Sequence, residues 1–290
     1  MLSVIAIFLS VVHFSTAVLG HGLVRFVLFD GVSYKGWPAK KPLTNPPQER
    51  IVRAMQTNGP IKDVYSLPIA CNGMNAPAAL VANISSGANV KIQWDSWPSN
   101  HKGPITNYLA SCEGDCTTFN ATDGKWFKVN ESGYDNSTGK WATEKLIESN
   151  QSYTFTLPKN IPAGQYLLRH EILALHNTRH PQYYPSCTQI NILKGSGGLP
   201  SGQYLTKFPG AYNTSDPGYS FNVYQPSIPF YPIEGPPISP KFLTTQTTTA
   251  PGSVCSHNRG KHAVNWRRKR ATAHLQGNAR NLLDGLASKS

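Results

Sequence analysis

Short runs of alternating apolar and polar residues, separated by glycine and proline, are the feature that most limits what this chain can fold into. Ala88-Asn89-Val90-Lys91-Ile92-Gln93-Trp94 alternates in this way, as do Tyr153-Thr154-Phe155-Thr156-Leu157 and Thr188-Gln189-Ile190-Asn191-Ile192-Leu193. Gln165 to Leu175 forms a longer strand candidate. A period of two places alternate side chains on opposite faces of a sheet. No convincing amphipathic helix interrupts these runs. Short strands at this spacing predict an all-β chain, an antiparallel β-sandwich of the immunoglobulin/fibronectin-like kind with long loops. Charged residues make up only 14% of the sequence, below the usual quarter. Gly, Pro, Ser, Thr and Asn take their place, as turns and long loops require.

The two ends differ from this middle. Leu2 to Leu19 carries no charge and ends in small residues, Ser15-Thr16-Ala17-Val18-Leu19-Gly20. It is too short and wrongly flanked for a membrane helix. It reads as a secretory leader over residues 1–20, with Val18 and Gly20 at the cleavage-determining positions. The chain is therefore expected to be secreted and extracellular, with no membrane partner. Six Asn-X-Ser/Thr sequons, at Asn83, Asn120, Asn130, Asn136, Asn150 and Asn213, agree with that route. The cysteines are Cys71, Cys112, Cys116, Cys187 and Cys255. An oxidising compartment makes disulfides their default fate. No Cys-X-X-Cys spacing argues for a structural zinc. Four of the five precede residue 200, enough for two bridges, and Cys255 is left over.

Between His21 and Pro237 there are 18 Lys/Arg against 14 Asp/Glu, whereas from Ile238 onward nine basic residues face Asp284 alone. The high isoelectric point therefore belongs mostly to the tail, and a nucleic-acid partner is not expected for the domain. Residues 238–290 read as a Thr/Pro linker, Thr244 to Pro251, and a basic extension with too few hydrophobics to fold alone. The domain is expected to span residues 21–237 and to act as a monomer.

Removal of the leader after Gly20 would leave His21 as the first residue. A terminal histidine offers a metal two nitrogens, its α-amine and its ring. The amine, with a pKa near 8, gives up its proton readily. A second histidine would complete three nitrogens, a set that suits copper. His101 is the candidate, in a loop just after the Val90–Trp94 strand. His170, on an apolar strand, reads as a structural histidine, and His180, before Pro181, as an exposed one.

The stretch from Arg169 to Gln189 adds Arg169-His170-Glu171-Ile172, Ala174-Leu175-His176 and Gln182-Tyr183-Tyr184-Pro185-Ser186-Cys187. Together with His21-Gly22, Ala70-Cys71-Asn72-Gly73, His101-Lys102-Gly103-Pro104 and Asp216-Pro217-Gly218 with Phe221-Asn222-Val223-Tyr224, in this order, it resembles the fungal lytic polysaccharide monooxygenases of auxiliary activity family 9, formerly called glycoside hydrolase family 61. The likeness runs from His21 to about Pro237. It implies one copper ion per chain, held by His21 and His101 with Tyr184 as the axial residue. It implies that His176 and Gln182 assist catalysis beside Tyr184, and that the disulfides are Cys71–Cys187 and Cys112–Cys116. It implies oxidative cleavage of a β-1,4-glucan such as cellulose, by hydroxylation next to the glycosidic bond, with O₂ or H₂O₂ and an external electron donor. Tyr231 sits where such enzymes have a substrate-facing tyrosine, and Tyr34 and Tyr212 are further candidates for a flat aromatic face.

Two departures stand out: the span from His176 to Gln182 is short for the family, and Glu234 occupies a position where proline is usual. Two other functions compete with this reading. One is a glycoside hydrolase built on paired carboxylates, for which Glu171 is the best candidate and lacks an evident partner. The other is a secreted copper-binding or wall-associated protein that keeps the fold without the oxidation.

Overall fold

The computed structural model describes residues 22–38, 48–55, 57–73 and 76–243. His21, the leader at 1–20, the linker and basic extension from 244 onward, and Cys255 lie outside the described residues. Eleven strands run in chain order. They are β1 (Val24–Phe29), β2 (Val32–Lys35), β3 (Ala82–Ile84), β4 (Asn89–Trp94), β5 (Ile105–Ser111) and β6 (Trp126–Ser132), then β7 (Tyr134–Asp135), β8 (Lys140–Trp141), β9 (Ser152–Thr156), β10 (Gly164–Ala174) and β11 (Gln182–Ile192). Two sheets carry the sandwich, one ordered β2-β1-β4-β9 and the other β3-β11-β10-β5-β6, with β7 and β8 as a small ribbon. The expected sandwich is present. Its pairings are antiparallel except for the short edge strand β3, which runs parallel to β11.

The core between the sheets follows the alternation seen in the sequence. Val27, Phe29, Val90, Ile92 and Trp94 of one sheet pack with Leu109, Phe127, Leu168, Ile172 and Ile190 of the other. Complete burial of such side chains contributes on the order of 1.5–3 kcal/mol each. The second sheet is also covered on its outer face, where Tyr108, Trp126, Leu167, Leu173 and Tyr183 lie under Phe208, Tyr212, Val223 and Tyr231 from the long segment after β11. Both implied disulfides form, Cys71–Cys187 and Cys112–Cys116.

Two features correct the sequence reading. A short helix, α1 (Ala142–Glu148), follows β8 and buries Ala142, Thr143 and Leu146. Seven residues give fewer than two full turns, too little for a helical period to stand out. Packing also continues past Pro237, the expected domain end. Phe242, in the turn of helix α2 (Pro240–Leu243), is fully buried and its ring lies 5.7 Å from that of Phe127. The charge count on that segment points to solvent, but one aromatic side chain is enough to dock it.

Candidate functional site

One end of the sandwich gathers the residues singled out in the sequence. His101 lies between β4 and β5, in a loop held from several sides. Its backbone N–H donates to Pro98 O at 3.0 Å, and Trp97 Nε1 donates to His101 O at 2.9 Å. The next residues are stitched to the end of β10. Leu175 N–H donates to Lys102 O, Leu173 N–H to Pro104 O, and Gly103 N–H to Thr143 Oγ1. Position 103 has to be glycine, because a Cβ there would lie 1.8 Å from the Leu173 carbonyl oxygen. This seam carries His101 to His176, the second residue beyond β10. The two imidazoles stack, centroids 3.8 Å apart and planes 26° from parallel.

Tyr184 enters from β11, directly opposite Ile172 in the register. This stretch is strand, buried on both faces. Trp97 stands between the two candidate ligands, with its ring centroid 5.9 Å from His101 and 5.0 Å from Tyr184, both edge-on. The Tyr184 hydroxyl donates to Gln182 Oε1 at 2.7 Å. Burial pushes the Tyr184 phenol up, so it is neutral and at most a weak donor to a metal. His101 is 8% exposed and its Nδ1 donates to Asn100 Oδ1 at 2.8 Å. That bond leaves the lone pair on Nε2, the nitrogen a metal would use. Among the described residues no three His, Cys, Asp or Glu side chains converge on a metal position. The donors at this end are His101 Nε2 and Tyr184 Oη.

The chain before β1 is anchored at the same end. Leu23 N–H donates to Asp95 Oδ1 at 2.7 Å, and Asp95 N–H returns a bond to Leu23 O at 2.9 Å. A Cβ on Gly22 would sit 1.9 Å from Ser96 O, so this backbone lies directly on the end of β4.

The other histidines behave as expected. His170 is buried, accepts from Trp94 Nε1 at 3.1 Å and donates to Asn107 Oδ1 at 2.8 Å. Burial, helped by Arg169, lowers its pKa to about 3. His180 is exposed. The aromatic expectations need correction. Tyr231 is 4% exposed, wedged edge-on against Trp141 and Phe221, with its hydroxyl donating to Gly218 O. A ring so enclosed has no face for a sugar. Tyr212 is equally buried, stacked on Tyr183. Tyr34 is half-buried against Phe29 and belongs to the other sheet's edge.

The tyrosine that the sequence reading passed over is Tyr224. It is 62% exposed and its hydroxyl donates to His176 O at 3.3 Å, placing an open ring beside the histidine pair. Its neighbours Gln225-Pro226 form a turn-rich, aperiodic stretch, so only its place in the family-like motif could have marked it.

Glu171 also changes character. It is 2% exposed and accepts from Arg169 and from the Tyr212 hydroxyl. Its partner is thus an ion-pair partner under a loop, and no sugar reaches it. The carboxylate-pair hydrolase loses its best residue.

Comparison with known proteins agrees with this geometry. The model of Auxiliary Activity family 9 (formerly GH61) matches residues 21–231. AA9 family lytic polysaccharide monooxygenase A of Gloeophyllum trabeum is 41% identical over 244 residues, covering 80% of this chain and 75% of its own length. AA9 family lytic polysaccharide monooxygenase B of the same organism is 40% identical over 251 residues, with 82% and 98% covered. The crystal structure of HiLPMO9B superposes with a TM-score of 0.70 at 36% identity, over 76% of this chain and 99% of that one. A cellulose-active polysaccharide monooxygenase from M. thermophila superposes at 0.68 and 31% identity, with 76% and 99% covered.

Proposed function

The chain belongs to auxiliary activity family 9, the lytic polysaccharide monooxygenases, and is an enzyme of oxidative polysaccharide cleavage; from that premise we propose that it is a secreted, copper-dependent enzyme acting on β-1,4-glucans such as cellulose. The observation that carries this reading is the convergence of His101, His176, Gln182 and Tyr184 at one end of a rigid sandwich, with an exposed Tyr224 beside them. A flat, crystalline substrate calls for a site of this kind rather than a deep pocket.

The residues fit copper by their chemistry. His101 has its Nδ1 proton tied to Asn100, which puts the ring lone pair on Nε2, the nitrogen that would ligate copper. Leader removal after Gly20 would add the α-amine and ring nitrogen of His21, and the backbone anchored at Gly22 and Leu23 supports that end. Three nitrogens and a weak phenol suit Cu(II) and tolerate Cu(I). Copper held there would supply the one-electron couple that activates O₂ or H₂O₂ with electrons from an external donor. The chain's own residues do the rest. His176, stacked on His101, offers a ring nitrogen that gives and takes a proton at the reacting face. Gln182 has its Oε1 engaged by Tyr184, which orients its Nε2–H₂ to donate a hydrogen bond. Tyr224 offers its ring to a pyranose face.

Copper-loaded protein incubated with cellulose and ascorbate tests the reading. Aldonic acids or 4-keto sugars should appear by mass spectrometry, vanish with EDTA, and be absent from His101→Ala. Non-oxidised products that persist in EDTA would return the chain to hydrolysis. No oxidised product from cellulose or other soluble and insoluble β-glucans would leave a copper-binding protein without the oxidation. Intact mass of the secreted protein checks separately that it begins at His21.

A further inference from the structure

A second concave site, lined by neither His101 nor His176, lies at the edge where β1 and β2 meet and shares Leu23 and Asp95 with the anchored chain before β1. It is a cavity of about 360 Å³, at the lower end of the roughly 300–1,000 Å³ that ligand pockets span. Three cations line it, Arg25, Lys35 and Arg50. Among the described residues none of the three has a carboxylate within ion-pair reach. The acid on the lining, Asp95, is already occupied, its Oδ1 accepting from Leu23 N–H and Ser96 N–H. The local excess of positive charge is therefore real.

The strand register explains the placement. The β1–β4 register shifts between Val24 and Phe26, which makes Arg25 the extra residue of a bulge and re-aims its side chain. Arg25 then lies over the Phe26 ring at 5.5 Å, and Phe26 pairs with Lys35 across β1 and β2. One residue on, the backbone of Gly36 presses against Val24 O so closely that a Cβ would lie 1.8 Å from it. That approach turns the chain and sends Trp37 inward, where it packs with Leu23, Ala54 and Met55. Trp37 is 5% exposed, and among the described residues its buried Nε1–H has no acceptor.

We propose that this cavity binds a small aromatic carboxylate. Its walls are mainly apolar and include two aromatic rings, Phe26 and Trp37, which favour a flat ring over a sugar or a phosphate. The cations supply the counter-charge. The site draws on none of the proposed copper ligands, so it stands whether or not His21 and His101 hold copper.

Titration of the full secreted chain with benzoate, followed in the ¹H–¹⁵N spectrum of the tryptophan indoles, tests it. The Trp37 resonance is identified by its loss in Trp37→Phe. Benzoate should shift it saturably with a dissociation constant in roughly the millimolar range. Benzyl alcohol, with the same ring and no charge, should bind about tenfold more weakly or not at all, and added salt should weaken benzoate through screening. The double variant Lys35→Gln/Arg50→Gln should also lose about tenfold. If that variant melts early, the exposed Lys35→Gln alone serves, with a smaller loss. The proposal is overturned if benzoate leaves the Trp37 indole unmoved, if benzyl alcohol binds equally well, or if removing the cations changes nothing.

Discussion

The two faces of the five-stranded sheet are both buried, yet they are closed by different means. The inner face meets the other sheet through Leu168, Ile172 and Ile190, and the polar His170 set among them has both ring nitrogens engaged. The outer face carries Arg169, Glu171, Tyr183 and Gln189, and it is covered by loops rather than by a sheet. Loops have no hydrogen-bond ladder of their own, so their buried backbone groups need partners. The outer-face side chains provide them. Arg169 donates to Ile69 O and Ala70 O, and Gln189 donates to Ala78 O and Leu80 O. Arg53 reaches Cys116 O and Phe119 O in the same way. Apolar burial is non-directional, whereas these bonds are specific. They hold the irregular segments in one arrangement, and the segment that carries Tyr224, the ring offered to substrate, is tied to the same face through the Tyr212 hydroxyl, which donates to Glu171.

Breaking that arrangement at its ionic centre should cost most. Arg169→Met removes two bonds to loop carbonyls and leaves Glu171 buried with only Tyr212. Removing one member of a buried pair costs about 3–5 kcal/mol, and denaturant unfolding should show a loss of that size. The double variant Arg169→Met/Glu171→Leu should recover part of the stability, since the pair itself contributes little net energy. A double variant no better than the single one would mean that the loop-carbonyl bonds, not the stranded charge, dominate.

The disulfides divide along the same line. Cys71–Cys187 spans 116 residues and ties a covering loop to β11, whereas Cys112–Cys116 spans four and closes a turn after β5. On chain-entropy grounds the long closure stabilises by about 4–5 kcal/mol and the short one by about 2. Cys71→Ser/Cys187→Ser should therefore lower the melting temperature about twice as far as Cys112→Ser/Cys116→Ser. Equal losses would show that native contacts, rather than loop length, set the value of the long bridge.

This division also explains what could be read in the sequence. The strands facing the inner core, Asn89–Trp94 and Ser152–Thr156, alternate because one side of each is apolar and the other wet, and their bounds follow from the pattern. The first half of β11 is buried on both faces, so Gln182-Tyr183-Tyr184-Pro185 shows no alternation and gives no strand signal. Pro185 is accommodated because it lies opposite Glu171 on β10, while β3 pairs only farther along, with Ile190 to Ile192. The site histidines were legible through motif order, and their stacking was not. It depends on the Gly103–Leu173 approach, a contact between residues seventy positions apart. Tyr224 and Tyr231 could not be told apart, since an aperiodic segment encodes no inside and outside.

Glu234 puts the outer face under pH control on a smaller scale. Its carboxyl is buried, which pushes its pKa from the ordinary 4.5 up to about 8, and Glu171 and Asp216 push the same way. The Tyr183 hydroxyl, donating to Oε2, and Lys128 oppose the shift without cancelling it. The folded state thus holds a proton that the unfolded chain has released. Stability should fall as pH rises from about 4.5 to about 8, by at most about 1.4 kcal/mol per pH unit from this group, and level off above. Glu234→Gln keeps the shape and removes the titration, so its stability should be flatter across that window. A wild-type and variant pair with parallel pH profiles would place the proton elsewhere.

The smallest effect on the fold should come from the residue most exposed to substrate. Tyr224→Ala removes a solvent-facing ring and one bond to His176 O, and surface changes of this kind stay within about 0.5 kcal/mol. Its cost should appear instead in binding to cellulose, as the loss of one stacking contact, about 0.5–1.5 kcal/mol or roughly 2- to 10-fold in affinity. Tyr231→Ala should behave in the opposite way. It opens a cavity between Trp141 and Phe221 and destabilises the domain by about 3–5 kcal/mol. Measured below its melting transition, it should bind cellulose as the unmodified protein does. Pull-down isotherms alongside thermal melts for the two variants decide the matter. If Tyr231→Ala lost affinity at temperatures where it remains folded, the outer face would contribute to substrate contact through more than the rings it exposes.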